Sequence, residues 1–244
     1  MRYPNESAQH ASNREAVRSL ALRVFNHEPL TYPVEQLPAF DIRFEEMDVK
    51  EITAKGPLFS HRFLKAHCSV PKTMVLANPM NILHYLTDSI PYSFHLTLEN
   101  FAFEWRYSDE TPFSGLEEHG RKRTVFACFN VGVSTDSFFP HVKLRIQDTE
   151  VATDDVLLRG ELLPIQRAIL TRMRQKNHMH HLLTLVLAFS VAGLSFRIIE
   201  AFFQDGSLVI RATKLFNMEE RNDEATQFLA QWYLGGHAGV TTEK

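Results

Sequence analysis

Apolar residues Ala16, Val17, Leu20, Ala21, Val24 and Phe25 recur at helical spacing, with Arg14, Arg18 and Arg23 off that face, until Pro29 closes the run. Ser12-Asn13-Arg14-Glu15 has the form of a capping box, so the pattern predicts a helix starting there. Pro33 and Pro38 bracket a loop ahead of a short strand at 41–44 and a charged segment at 45–51. Pro57, Pro71 and Pro79 break the apolar pieces that follow, and no element is assigned to them. Tyr92, Phe94, Leu96 and Leu98 then alternate, and the phase flips to Phe101, Phe103, Trp105 and Tyr107. A strand period of two flips only with an extra residue, which predicts a bulge or tight turn at Glu99-Asn100.

Residues 108–123 contain Pro112, Gly115 and Gly120 and read as a loop ending in Arg121-Lys122-Arg123. Val125, Ala127, Phe129, Val131 and Val133 alternate cleanly. So do Val142, Leu144 and Ile146, with Lys143, Arg145 and Gln147 opposite. Two half-exposed antiparallel strands are expected, followed by a solvated acidic connection at 148–155. Leu158, Leu162, Ile165, Ile169 and Met173 step by four and three, predicting a helix over at least 164–176, with Pro164 best tolerated in the first turn.

The uncharged run 182–196 follows Arg172, Arg174 and Lys176 and so raises the question of membrane insertion. A spanning helix needs roughly 20 apolar residues, and this run is interrupted by Gly193 and ends at Arg197. A buried strand at 182–189, turning at Ala192-Gly193, explains it better. Runs 196–203 and 207–215 flank Gln204-Asp205-Gly206, a strong hairpin signal. Asn222 then caps a helix that buries Ala225, Phe228, Leu229, Trp232 and Tyr233 and ends at Gly235-Gly236. The expected fold is α+β, a mainly antiparallel sheet with packed helices and a C-terminal helix, three-strand, helix unit. It forms one domain over 1–244, with a strand-rich lobe at 1–155 and an αβββα lobe at 156–244.

Composition adds limits. The 244 residues suffice for a core without disulfides, and Cys68 and Cys128 form no paired motif. The start Met1-Arg2-Tyr3-Pro4 carries no apolar signal region, so the cytoplasm, or the nucleus, is the expected location. A net charge of −3 argues against nucleic-acid or membrane binding driven by bulk charge. The 19 Phe, against 6 Tyr and 2 Trp, favour a large apolar core or an apolar pocket.

Candidate chemistry is sparse. His178, His180 and His181 could offer imidazoles to a transition metal, but their spacing is not that of a helical i, i+4 pair and no carboxylate adjoins them. A solvated polar turn is the simpler reading. His61, His67 and Cys68 form a looser group of the same kind. Arg121-Lys122-Arg123 with Arg106 and Tyr107 could meet phosphate or a single strand, or simply be a charged loop. The Gly-x-Ser-x-Gly, phosphate-loop and dinucleotide fingerprints are absent, and no cofactor is indicated.

The αβββα order resembles restriction-endonuclease-like nucleases, which implies a metal held by acidic residues and a lysine on the first helix and the second and third strands. Glu161, Glu200 and Lys214 occupy the matching places. Ala212-Thr213-Lys214 stands where that family has an acidic-x-lysine triplet, and hard cations depend on such carboxylates. The structural alternatives are Glu161 favourably placed at a helix N-terminus and Glu200 paired with Arg197 or Arg211 across the hairpin.

The stretch 182–234, through Arg197-Ile-Ile-Glu-Ala-Phe-Phe-Gln-Asp-Gly, Leu208-Val-Ile-Arg and Lys214-Leu-Phe, resembles a group of filamentous-fungal proteins with no assigned activity. The resemblance implies a soluble α+β body and, by association, an accessory place in secondary metabolism. The leading expectation is therefore an accessory or binding protein for an apolar small molecule or a protein partner. The alternative is a divergent metal-dependent nuclease.

Overall fold

The computed structural model describes residues 3, 6–27, 29–48, 59–60, 103–107, 111–113, 117–119, 124–136, 138–220, 222–237 and 241. Several expected features lie outside the described residues: the 92–98 alternation with its flip at Glu99-Asn100, the Arg121-Lys122-Arg123 cluster, His61, His67 and Cys68, and the segments around Pro57, Pro71 and Pro79.

Helix α1 spans Ala8–Asn26, followed by strands β1 (Thr31–Pro33), β2 (Ile42–Glu46), β3 (Phe59–Ser60), β4 (Phe103–Tyr107), β5 (Glu117–His119), β6 (Thr124–Ser134), β7 (Val142–Asp148) and β8 (Val156–Leu158). Helix α2 (Arg159–Met173) leads into β9 (Val186–Ala192), β10 (Ser195–Gln204), β11 (Ser207–Ala212) and β12 (Phe216–Asn217), then α3 (Asp223–Leu234) and β13 (Gly236–His237). The fold is α+β, and the helix, three-strand, helix unit is present as α2, β9, β10, β11, α3. No described helix is long and apolar enough to cross a membrane.

The main sheet runs β2-β11-β10-β9-β7-β6-β4, with β12 joined to β10 and β5 to β6. Its described pairings are antiparallel except β11 with β2 and β7 with β9. The β7 to β9 connection runs through α2, the helical crossover that parallel neighbours require. Strands from both halves of the chain thus interleave in one sheet.

Two apolar layers cover the sheet. On one face Val142, Leu144 and Ile146 of β7 and Ile199, Ala201 and Phe203 of β10 pack against α1 and α2. On the other, Leu187, Phe189, Phe196, Ile198 and Phe202 pack against Ala225, Leu229, Trp232 and Tyr233 of α3. The Phe-rich strands are therefore filled by a helix of the same chain.

Local signals explain most boundaries. Asp205 and Gly206 have φ of 51° and 78°, the paired positive values of a type I′ hairpin. Asn222 Oδ1 accepts from Ala225 N at 2.9 Å and starts α3 as expected. Helix α1 begins earlier than the Ser12 box implied, because Ser7 Oγ accepts from His10 N at 3.1 Å. The Glu6 carboxylate then takes both His10 Nδ1 and Arg14 Nε at 2.8 Å and secures that earlier first turn. Helix α2 starts at Arg159, so Pro164 falls in its second turn rather than its first, and it ends at Met173, short of the expected Lys176. Its start lies close against the sheet: a Cβ on Gly160 would stand 2.1 Å from Asp148 Oδ2 and 2.5 Å from Phe126 Cβ.

Three expectations are corrected. Residues 117–119, read as loop, form β5 on the edge of β6. Asp148, read as part of a solvated connection, is 3% exposed. Strand β7 is not half-exposed, since on its polar face Lys143 meets the end of α3 and Arg145 the Trp105 ring rather than water. Lys143 Nζ donates to the carbonyls of Trp232, Tyr233 and Gly235 at 3.0, 2.7 and 2.6 Å, and so caps the C-terminus of α3 where a cation is favoured. The Arg145 guanidinium lies 4.9 Å from the Trp105 ring, and that ring stacks on Tyr233 at 4.9 Å. Gly132 leaves room for the indole, since a Cβ there would stand 3.2 Å from it.

Candidate functional site

Glu161, Glu200 and Lys214 do not meet. Glu161, at the third position of α2, accepts from Leu158 N at 2.8 Å and accepts two hydrogen bonds from the Arg197 guanidinium, that from Nε at 2.8 Å. Arg197 shares the α2 face of β10 with Ile199 and Ala201, and its guanidinium also donates to Val156 O at 2.8 Å. Glu200 has the opposite parity and faces α3, where Arg211 Nη1 reaches its Oε2 at 2.5 Å. Lys214 lies past the end of β11, exposed, with Glu46 at 3.6 Å. A sheet therefore separates the two carboxylates, and the nuclease-like trio resolves into three separate ion pairs.

The histidines do come together, in the turn after α2. His178 and His181 are buried, with ring centroids 5.8 Å apart, and His180 lies 4.0 Å from His181. The solvated-turn reading is corrected for these two, and only His180 is exposed. His181 Nδ1 bonds Thr241 Oγ1 at 2.7 Å. Among the described residues no group of three or more His, Cys, Asp or Glu is arranged to hold a metal ion.

Burial, followed by the positive charge of Arg172 and the neighbouring imidazoles, lowers the His178 pKa to about 4. Burial, His180, Arg172 and His10 do the same to His181, also to about 4. Both lie below the value for an unfolded histidine, so their stabilisation is complete above about pH 6.5 and is lost as pH falls toward 4. Asp148 acts in the opposite sense: burial raises its pKa to about 6, so the folded state gains stability as pH falls from 6 toward 4. Asp148→Asn, which removes this buried charge, is expected to raise stability at pH 7.5 by about 1–3 kcal/mol. The variant should then lose more stability than the wild type between pH 7.5 and 4.5. Thermal melts across that interval measure both differences, and parallel curves would contradict the assignment.

The third feature had no motif to announce it. The end of β6 and the C-terminal end of α2 enclose a cleft of about 390 Å³, lined by Val133, Ser134, Thr135, Arg172, Gln175, Lys176, Asn177 and His178. That volume lies in the range of small-molecule sites. Arg172 is 5% exposed, and its Nη1 donates to the neutral Gln175 Oε1 at 2.6 Å. Among the described residues its Nε has no hydrogen-bond partner, and neither has His178 Nδ1. Burial lowers the Arg172 pKa to about 10. The only trace in the sequence was the basic flank Arg172, Arg174, Lys176, considered there as a membrane flank.

Comparison with known protein families, curated proteins and solved structures returned no match.

A smaller cleft of about 320 Å³, lined by Tyr3, Arg14, Glu15, Arg18 and Arg174, differs in kind. There Arg14 is held by Glu6, and Arg18 stands 3.6 Å from Glu15, so both of these cations face acids of their own. Among the described residues the Arg172 cleft has no acidic lining residue.

Proposed function

We propose that this chain is a binding or accessory protein whose ligand site is the cleft between the end of β6 and the C-terminal end of α2. One observation carries the reading: polar side chains from two separate elements converge there on an open volume of small-molecule size. A few polar groups around a preformed concavity fix a ligand's orientation, and Gln175, Asn177 and His178 can supply them. The apolar faces of β9 to β11 are occupied by α2 and α3, which favours this cleft over a Phe-lined pocket. The likeness of 182–234 to filamentous-fungal proteins supports an accessory role beside secondary-metabolite enzymes, with the cleft as the point of contact for a pathway molecule.

A thermal-shift screen of charged and neutral metabolites tests the reading, followed by titration of the hits against Asn177→Ala. Residue 177 is exposed, so its truncation leaves the core intact. At least one compound should raise the melting temperature, and the variant should weaken it severalfold. Hits unaffected by Asn177→Ala, or no hits, would remove the cleft from consideration.

A further inference from the structure

We infer that the cleft takes a ligand bearing a phosphate-type dianionic group; this rests on the reading of the cleft as the binding site. Arg172 lines the cleft with its guanidinium withdrawn from water, yet its hydrogen-bonded neighbour is the neutral amide of Gln175. Buried cations in folded proteins are ordinarily paired, because desolvation without a partner is costly. Lys176 and His178 border the same volume, and among the described residues none that line it is acidic. An anion entering the cleft would meet the buried Arg172 guanidinium, the exposed Lys176 ammonium and the neutral imidazole of His178 as a hydrogen-bonding neighbour.

Donor chemistry narrows the class. Arg172, Lys176, His178 and Asn177 present more hydrogen-bond donors than the two oxygens of a carboxylate can occupy, whereas a phosphate offers three or four acceptor oxygens. A guanidinium fork suits such a group especially well. The volume, about 390 Å³, exceeds what a single inorganic anion fills, leaving room for the body of a small phosphorylated molecule beside Val133 and Gln175.

Calorimetric titration of the full chain at pH 7 and low salt with inorganic phosphate, phenyl phosphate, benzoate and phenol distinguishes the classes. Phenyl phosphate should bind most tightly, inorganic phosphate more weakly, and benzoate and phenol at least tenfold more weakly than phenyl phosphate. Raising salt should loosen phosphate binding, since part of the attraction is between charges that water still reaches. Arg172→Met should weaken phenyl phosphate tenfold to a hundredfold, the effect expected for losing a hydrogen-bonded charge. The same variant should melt at or above the wild-type temperature, because it removes a poorly compensated buried cation and keeps the apolar stem. Should that variant fail to fold, Lys176→Ala, at an exposed position, should still weaken phenyl phosphate a fewfold and lower the salt dependence. Benzoate or phenol binding as well as phenyl phosphate would overturn the phosphate assignment and leave the cleft as a binding site. Failure of every ligand, in this titration and in the metabolite screen, would overturn both.

Discussion

Arg197→Met should lower the free energy of unfolding by about 3–5 kcal/mol, because it leaves the Glu161 carboxylate buried without its cation. Both side chains of this pair are 1% exposed, and the guanidinium also satisfies the carbonyl of Val156 at the end of the acidic connection. Removing it strands a charge and a carbonyl in the layer between α2 and the sheet. Replacing both partners by apolar residues of similar volume should recover much of the loss, since the desolvation cost of the pair disappears with it. Urea denaturation of the two single variants and the double variant gives the comparison. A loss below about 1 kcal/mol in Arg197→Met would show that the carboxylate finds another partner or takes up a proton at little cost.

Lys143→Met should cost about 3 kcal/mol, by a different route. The ammonium reaches three carbonyls at the end of α3 and lies 4.4 Å from the Phe103 ring, while burial lowers its pKa well below the ordinary lysine value. Methionine keeps most of the stem and volume but leaves the last carbonyls of the helix without that donor, and each buried unpaired acceptor costs about 1–3 kcal/mol. Amide hydrogen exchange should speed up first in the last turn of α3, around Trp232 and Tyr233. Uniform acceleration across the whole sheet instead would mean that Lys143 supports the fold globally rather than the helix end.

What could be read in advance depended on whether the signal was local. Asp205-Gly206 and Asn222 act through bonds to residues within a few positions, so the hairpin and the start of α3 were legible. The alternation of β7 was legible as a strand, but Lys143 and Arg145 look the same in sequence whether their face meets water or another helix. Only the distant C-terminus of α3 and the ring of Trp105 decide that. Two capping signals competed at α1, and the bonds from Glu6 to His10 and Arg14 favour the earlier one. The pairing of Glu200 with Arg211 was among the readings open from the hairpin register, whereas that of Glu161 with Arg197 spans two elements and was not. The Arg172 cleft was the least legible part, because Ser134 and Thr135 join Arg172 and His178 only after α2 has crossed from β7 to β9.

The parallel pairing of Ile42 with Leu208 also bears on how the protein is made. A ribosome delivers β2 long before β11 exists, and β7 must likewise wait for β9 beyond an entire helix. The first half of the nascent chain thus carries strands whose neighbours are still unsynthesised, along with the apolar side of α1, which packs on α2 only later. Non-local pairings of this kind close slowly, and waiting edges are open to association with other chains. A chain cut short before Leu208 would keep that exposed condition permanently, so in the cell a premature stop is more a solubility hazard than a mere loss of the C-terminal helix.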